Sequence, residues 1–195
     1  MDHNPAPQNQ FKQRDFSFLK FVIAWVVAIT AAILLQAFVL KPFQVYGQSM
    51  EPTLQDGDYL IISKLESTWY YLQDEPYLPE RGDIVVMDPA DSPRLIKRVI
   101  GLPGERVVVE NGELKVFNQQ HPEGFDPYAG LEIPPTRVSG SIETKVPAEH
   151  IFVVGDNRQS SGSSDSRNRL GTVPTENVVG SLVLRLWPAT DLETF

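Results

Sequence analysis

Residues 95–117 read LIKRVIGLPGERVVVENGELKVF and contain three short apolar runs separated by turn residues. The runs are rich in β-branched residues, which favour strands. Pro103-Gly104 follows the first run, and Asn111-Gly112 lies between the second and the third. An Asn-Gly pair between two apolar runs is a strong short-range signal for a β-hairpin. This stretch therefore predicts consecutive antiparallel strands.

The same pattern continues on both sides of this stretch. Apolar runs bounded by turn residues predict strands at 58–62, 83–87, 95–100, 106–109, 114–117, 151–154 and 183–186. No long segment after residue 41 has helical periodicity, so we expect an all-β domain over 42–195. Residues 118–146 hold several Pro and Gly and fewer strand signals, which indicates an insertion or a small subdomain.

A long apolar segment precedes this domain. Residues 21–40 carry no charged side chain, and their length of about 20 residues suits a helix that crosses a bilayer. Lys12, Arg14 and Lys20 precede the segment, which favours a cytoplasmic N-terminus. We expect a disordered cytoplasmic tail over 1–15 and a transmembrane anchor helix over 16–41. The alternatives are a cleaved secretory signal, which is usually shorter, and a buried core helix, which usually has a polar face.

The composition limits the classes of function. The chain has 195 residues, a formal net charge of −8 and no cysteine. The negative charge argues against nucleic acid as a partner, because phosphate binding needs clustered Lys and Arg. The absence of cysteine excludes disulfides and a thiol nucleophile. The three histidines are scattered along the chain, so we expect neither a metal site nor a cofactor.

A serine and a lysine are the candidates for nucleophilic catalysis. A serine hydroxyl needs a base, and a lysine can act as one when burial lowers its pKa. Ser49 follows the apolar segment, and Lys97 lies in a predicted strand on the same face as Leu95 and Val99. On residue types alone, a serine in a plain turn and a solvated lysine on an amphipathic strand remain the alternatives.

Several segments resemble the sequence boxes of one known family. Residues 47–54, GQSMEPTL, closely resemble the nucleophile box of bacterial type I signal peptidases. Residues 81–86 (RGDIVV), 97–105 (KRVIGLPGE), 154–158 (VGDNR) and 164–167 (SDSR) are similar to the remaining boxes and occur in the family's order. The resemblance implies that the expected β-domain consists of coiled antiparallel sheets.

The resemblance also implies roles for single residues. Ser49 corresponds to the acylated nucleophile and Lys97 to the general base. The backbone N–H of Ser49 corresponds to one oxyanion donor, whereas Gly47 lacks the hydroxyl that many relatives use as a second donor. Ser163 falls where the family has a serine that hydrogen-bonds the lysine, with Ser160 and Ser161 as rivals because the loop is longer here.

Other residues correspond to structural and substrate-binding positions of the family. Asp165 and Arg167 resemble its ion pair beneath the site, and Asp156 and Arg158 resemble structural residues, with a solvated turn as the alternative. The walls of shallow apolar pockets for small side chains at substrate positions −3 and −1 correspond to Phe43, Val45, Met50, Leu95 and Ile96. Plain core packing is the alternative for each of these five.

The implied function is that of a membrane-bound serine endopeptidase that removes N-terminal signal peptides from translocated preproteins after small-x-small sites. The expected location is the bacterial plasma membrane, with a single span, a monomeric chain and the catalytic domain on the extracytoplasmic side. Preproteins and the lipid bilayer are the expected partners. Trp69, Tyr70 and Tyr71 are candidates for contact with the bilayer or for core packing.

Two other functions have to be weighed against this one. Self-cleaving regulators also use a serine and a lysine on this type of fold, but they carry a DNA-binding module, whereas this chain has an apolar segment and a negative charge. A non-catalytic anchored β-domain is the other alternative, and the intact Ser49 and Lys97 argue against it.

Overall fold

The computed structural model describes residues 10–90, 92–131, 133–134, 136–159 and 163–188, and the first element in it is a long helix. Helix α1 spans Gln10–Phe38, and its large apolar side chains between Phe18 and Leu34 are exposed. Residues 1–9 of the predicted tail lie outside the described residues, whereas residues 10–15 belong to α1 and not to a disordered tail. In the described part of the chain, no helix is both long and apolar enough to cross a membrane.

The chain after α1 forms a separate unit that begins at Leu40. The sequence places the end of the apolar helix at Lys41, but this residue lies in the first strand. Pro42 explains the difference, because the residue before a proline is pushed away from the helical conformation towards an extended one. The strands of this unit are β1 Leu40–Gln44, β2 Tyr59–Ser63, β3 Ile84–Met87, β4 Leu95–Gly101, β5 Arg106–Glu110, β6 Glu113–Phe117, β7 Ile142–Lys145, β8 His150–Val154, β9 Val173–Pro174 and β10 Val178–Trp187.

Seven of these strands form one antiparallel sheet in the order β1-β2-β10-β3-β4-β8-β9. Strand β1 is an edge strand, and this suits Pro42, which has no N–H to donate to a second neighbour. The register shifts between β10 and β2, between β10 and β3, and between β4 and β8. Such bulges bend strands and increase their twist, so the sheet curls.

The other three strands form a small antiparallel sheet in the order β6-β5-β7. Strands β5 and β6 pair from Arg106 opposite Phe117 to Glu110 opposite Glu113. Asn111 and Gly112 connect them with φ angles of 55° and 86°, the left-handed conformations that a tight hairpin turn needs. The hairpin that the Asn-Gly pair predicts is therefore confirmed.

Each of the seven predicted runs overlaps an observed strand, and the unit is mostly β. The sequence does not predict β1, β7 or β9, and it does not predict the short helix α2 Leu65–Leu72. A purely all-β domain is therefore wrong in this detail. A helix of two turns is too short to show a periodicity, and α2 is held by its contacts with β10 instead.

Buried apolar side chains form three clusters. The first joins the small sheet to residues 118–146, because Tyr128, Val138 and Val146 pack with Val107 and Phe152. The second lies beneath the turn that carries Ser49 and contains Val45, Met50, Leu54, Leu60, Ile62, Ile84, Val86 and Leu182. The third packs against strands β3, β4 and β8 and contains Tyr77, Val85, Met87, Val99, Ile151, Val153, Val173 and Val178. Strand β4 contributes to the first and third clusters, so its backbone is fixed from both sides.

Candidate active site

Ser49 and Lys97 lie in contact although they are far apart in the sequence. Ser49 lies in the turn between β1 and β2, and Lys97 lies in the middle of β4. The Lys97 Nζ atom is 2.6 Å from Ser49 Oγ across a sequence separation of 48 positions. The same Nζ donates to the carbonyl oxygen of Ile96 at 2.9 Å. The structure thus brings the two candidates into hydrogen-bond distance.

The amine of Lys97 is removed from water. Lys97 is 3% exposed, and its strand partner Val85 and neighbour Val99 are fully buried. Burial lowers the pKa of Lys97 from 10.5 to about 8, because a desolvated ammonium is disfavoured. The charges of Asp165 and Arg167 act on it in opposite directions and are secondary to burial. A substantial share of Lys97 is therefore neutral in mildly alkaline solution and able to accept a proton.

The turn that carries Ser49 is fixed by backbone hydrogen bonds. Gly47 opens the turn with φ of 86°, which glycine adopts without a steric cost, and its N–H donates to Asp56 Oδ1 at 2.8 Å. The N–H of Glu51 donates to the carbonyl oxygen of Gln48 at 3.3 Å. Met50 points into the core and is 1% exposed. The backbone that carries the Ser49 side chain is therefore held in a fixed position, and Ser49 lies on the side of the turn opposite to Met50.

A second segment, residues 155–157, holds this turn from outside. The N–H of Asn157 donates to the carbonyl oxygen of Ser49 at 3.0 Å, and Asn157 Nδ2 donates to the carbonyl oxygen of Gln48 at 3.1 Å. Gly155 approaches so closely that a Cβ added there would lie 2.3 Å from the carbonyl oxygen of Ser49. Only glycine fits at this position without moving one of the two segments.

Two buried ion pairs hold residues 155–157 in place. Arg98 donates to both carboxylate oxygens of Asp156 at 2.9 and 2.7 Å. Arg167 donates to both oxygens of Asp165 at 3.0 and 2.7 Å, and Asp165 Oδ2 accepts the N–H of Gly155 at 3.3 Å. Both pairs are bidentate, which is the geometrically most restrictive form of the contact. The alternative of a solvated turn is therefore wrong for Asp156, which is 2% exposed.

Arg158 joins the same network from the opposite side. Its carbonyl oxygen accepts a hydrogen bond from Arg167 Nη1 at 2.7 Å. Its guanidinium lies 4.3 Å from the ring centroid of Tyr128 and donates to the carbonyl oxygen of Pro134. Arg158 is 5% exposed, so a solvated turn is wrong here as well, and the residue links the segment 118–146 to the site.

Ser163 lies close to this network but makes no described contact with the lysine. Its hydroxyl is buried and has no hydrogen-bond partner among the described residues. The Ser163 Oγ atom would lie 3.3 Å from a Cβ at Gly155, so it belongs to the immediate surroundings of the Ser49 carbonyl. The rivals Ser160 and Ser161 lie outside the described residues.

An open cavity extends from the Ser49 hydroxyl along β1. Its volume is about 370 Å³. The five predicted pocket residues all line it together with Ser49 and Lys97, namely Phe43, Val45, Met50, Leu95 and Ile96. Val45 and Met50 also belong to the core, and Phe43, Leu95 and Ile96 pack against it, so core packing and cavity lining are both true for all five residues.

For some residues around the site, the sequence predicts no role. Gly155 and Asn157 are part of a recognised box, but nothing in their residue types indicates that they hold the backbone of Ser49. Lys41 and Arg94 line the cavity and have no assigned role either. The available signal for these two residues is their positive charge, at the end of the apolar segment for Lys41 and directly before a predicted strand for Arg94.

Comparisons with known proteins identify the family of this chain. The family model for signal peptidase, peptidase S26, matches residues 18–187. This chain belongs to the peptidase S26 signal peptidase family. It is 38% identical over 170 residues to a probable signal peptidase I-2 of Synechocystis sp., which covers 84% of this chain and 70% of the relative. It is 34% identical over 180 residues to a signal peptidase I of Bacillus licheniformis, which covers 90% of this chain and 92% of the relative.

The solved structures include a further member of the family. A crystal structure of a signal peptidase I from Enterococcus faecalis V583 is 27% identical, covers 54% of this chain and 97% of that chain, and has a TM-score of 0.41. The family match and the relatives together make this chain a serine endopeptidase of the signal peptidase I class, a hydrolase that removes signal peptides from preproteins.

The first prediction concerns Gly155. Gly155→Ala should lower signal peptide cleavage at least about 100-fold and the free energy of unfolding by about 1–3 kcal/mol, because the added methyl group collides with the carbonyl of Ser49. Peptide cleavage and urea unfolding measure the two effects. Gly130→Ala is the matched control: it strains a backbone at φ of 88° but meets nothing within 4 Å. It should lower stability only, and normal activity in Gly155→Ala would contradict the proposed close packing.

The second prediction concerns the stability cost of Lys97. The pKa of Lys97 is lower in the folded chain than in the unfolded chain. At pH values below about 8, where Lys97 is charged in both states, burial of this charge therefore reduces the free energy of unfolding. Lys97→Met should therefore raise the free energy of unfolding at pH 6.5 by up to about 3 kcal/mol, with the gain shrinking as the pH rises from about 8 to about 10.5. Urea titrations at several pH values measure the difference.

The exposed Lys115 provides the control for this experiment. Lys115→Met should show no comparable change of stability with pH. A Lys97→Met variant that is less stable than the original chain at pH 6.5 would show that the amine is better solvated than its burial indicates.

Proposed function

We propose that Ser49 is the acylated nucleophile and Lys97 the general base of this signal peptidase. The observation that carries the proposal is the 2.6 Å contact between Ser49 Oγ and the buried Nζ of Lys97. A neutral Lys97 removes the proton from the hydroxyl while Oγ forms a bond to the scissile carbonyl carbon. The protonated amine then gives this proton to the departing amine of the substrate, and the C–N bond breaks.

The acyl group leaves Ser49 through the reverse use of the same amine. Lys97, neutral again, removes a proton from an incoming water molecule as the water oxygen bonds to the ester carbon. Ser49 Oγ then leaves and recovers a proton from Lys97. One buried amine is sufficient for both half-reactions, because it returns to the neutral state after each proton transfer.

The tetrahedral intermediate needs hydrogen-bond donors that already point at its oxygen. We propose the N–H of Ser49 as one donor, because no acceptor for it is found among the described residues. The N–H of Gly47 is engaged by Asp56, and that of Asn157 by the carbonyl of Ser49 itself. These two groups are therefore not free to act as the second donor, and Gly47 offers no side chain in its place.

The shape of the cavity supports cleavage after small-x-small sequences. Its walls near Ser49 are the side chains of Val45, Met50 and Ile96, two of which are fixed in the core. A fixed apolar wall accepts a small substrate side chain and excludes a large one by overlap. We propose that the substrate lies extended along β1, the edge strand, whose free side can pair with another backbone.

The remaining residues of the site position Ser49 and Lys97 and do not contact the substrate. We propose that Ser163 helps to orient Lys97 or the Gly155 segment, because its buried hydroxyl lies beside Gly155. Asp156, Arg158, Asp165 and Arg167 have structural roles, since their contacts fix the backbone that holds Ser49.

We also propose that the chain is anchored in the bacterial plasma membrane as a monomer, with a cytoplasmic N-terminus and an extracytoplasmic catalytic unit. The support is the sequence of residues 21–38, which carries no charge, and the basic residues before it. A precursor that is still in the membrane could then reach the enzyme directly. Trp69 and Tyr71 are 62% and 82% exposed, so core packing is wrong for them, and they suit the headgroup region.

The test is cleavage of an added preprotein by the full chain in detergent. Ser49→Ala and Lys97→Ala should each lower the rate at least about 1000-fold while the circular dichroism spectrum stays unchanged. Ser141→Ala and Lys115→Ala, which change exposed residues, are the matched controls and should keep full activity. Cleavage of the added preprotein also separates this function from self-cleavage. Full activity of a folded Ser49→Ala chain would refute the assignment.

The pH dependence provides an independent prediction. Because the base has to be neutral, kcat/KM should rise with pH through a midpoint near 8, which is the pKa of Lys97, and then level off. Peptide hydrolysis in buffers from pH 6 to pH 10.5 measures the profile. A midpoint near 6.5 that persists in Lys97→Ala would instead indicate a histidine base.

A further inference from the structure

The cavity next to Ser49 has an unusual charge for this chain. The full chain has 17 basic and 25 acidic residues, yet none of the described residues that line the cavity carries a carboxylate. Two basic side chains besides Lys97 line it, those of Lys41 and Arg94. A positive patch inside the substrate cavity of an acidic protein favours one sign of ligand charge.

Both cations lie around the same aromatic ring. Lys41 Nζ is 5.3 Å from the centroid of the Phe43 ring, and the guanidinium of Arg94 is 5.8 Å from it. Arg94 also forms an exposed ion pair with Asp88 at 2.9 Å, which neutralises part of its charge. No carboxylate among the described residues lies within ion-pair distance of Lys41. Burial and then the charges of Arg94 and Lys64 lower the pKa of Lys41, whereas Asp88 raises it more weakly, so an added anion near Lys41 would stabilise its charged form.

The position of Lys41 along β1 determines which part of an extended substrate it meets. Lys41, Phe43 and Val45 alternate along the extended segment that leads to Ser49. The distance from Val45 to Lys41 is about 13 Å at the usual rise of a strand. A substrate residue opposite Lys41 is therefore about four positions away from the residue opposite Val45. Because the small residues before the scissile bond lie nearest to Val45, the residue opposite Lys41 lies further upstream.

We propose that Lys41 and Arg94 form an anion-accepting subsite that favours precursors with an aspartate or glutamate at about position −5 to −7. The inference rests on the proposed function, since it needs the substrate to lie along β1. A carboxylate there would give Lys41 the close ion-pair partner that it lacks among the described residues, where only the weaker attraction of Asp88 acts on it. A peptide is favoured over a lipid phosphate as the source of this charge, because both cations line the cavity that contains Ser49.

Peptide substrates that differ at a single position test this inference. Three otherwise identical peptides carry Glu, Gln or Lys at −6, and the full chain is assayed in a nonionic detergent. We expect kcat/KM to fall in the order Glu, Gln, Lys, by about 3- to 10-fold from Glu to Lys in low salt, with the difference shrinking at 0.5 M NaCl. Equal values for all three peptides would overturn the subsite and leave the proposed catalytic function intact. Failure to cleave even the Gln peptide would instead count against that function.

Variants connect the preference to the two cations. Lys41→Gln with Arg94→Gln should remove the preference for Glu, and Lys41→Glu with Arg94→Gln should invert it in favour of the Lys peptide. Lys41→Arg should keep it, and Lys115→Gln on the small sheet is the matched control that should leave it unchanged. Thermal unfolding checks that each variant is folded. A preference that persists in the Lys41→Gln, Arg94→Gln chain would overturn the assignment to these residues.

The lipid alternative gives a different result. If the cations bound phosphate headgroups, the peptide preference would be absent in nonionic detergent. The Lys41→Gln, Arg94→Gln variant would instead lose activity only in vesicles that contain phosphatidylglycerol. This outcome would overturn the proposed peptide subsite.

Discussion

The placement of an uncharged amine beside a hydroxyl, which the proposed dyad requires, is the constraint on which the rest of this structure depends. An exposed lysine is an ammonium ion at neutral pH and cannot accept a proton. The fold therefore has to remove Lys97 from water without giving it a carboxylate partner that would keep it charged. Strand β4 achieves this because apolar clusters pack against it, and the acceptors that Nζ finds are a hydroxyl and a backbone carbonyl, which are both neutral.

Burial of Lys97 is not sufficient without a rigid position for Ser49. A turn on its own would let the hydroxyl move by more than the length of a hydrogen bond, and proton transfer depends steeply on that distance. Here the carbonyl of Ser49 is bound by Asn157 and packed against Gly155. The buried pairs Arg98–Asp156 and Asp165–Arg167 fix that segment. Buried ion pairs contribute little net stability, so their use here is explained by the geometry that they impose.

The sequence reveals most of the strands and the two residues proposed to react, and physical reasons explain what it does not reveal. Alternating β-branched runs identify strands because each of them has a buried face, and the Asn-Gly pair identifies a hairpin because both residues accept positive φ. Strands β7 and β9 are short and contain polar residues or proline, so they are defined by their partners rather than by a local pattern. Helix α2 depends in the same way on β10.

In the site, too, some residues can be identified from the local sequence, whereas others can be identified only from the tertiary structure. Ser49 and Lys97 are identifiable because the proposed chemistry needs these side chains within recognisable local sequences. Gly155 and Asn157 act through close backbone approach and a main-chain N–H, which do not leave a distinctive residue type at a predictable spacing. The assignment of Ser163 depends on which of several nearby serines is buried beside the site. The sequence does not show this, because the length of the loop that contains these serines varies within the family.

The distribution of charges around the site also explains how the amine of Lys97 is kept apart from the charges of the protein surface. A charge that entered the interior near Lys97 would act on its protonation with little screening, because the surroundings have a low dielectric constant. The buried acids close to the lysine are each balanced by an arginine, as Asp165 is by Arg167, so they act on the amine mainly as neutral pairs. Lys41 and Arg94 lie at the cavity surface, where solvent screens them from the amine but where a substrate side chain can still reach them. A charge beside Lys41 or Arg94 therefore has little effect on the protonation of Lys97.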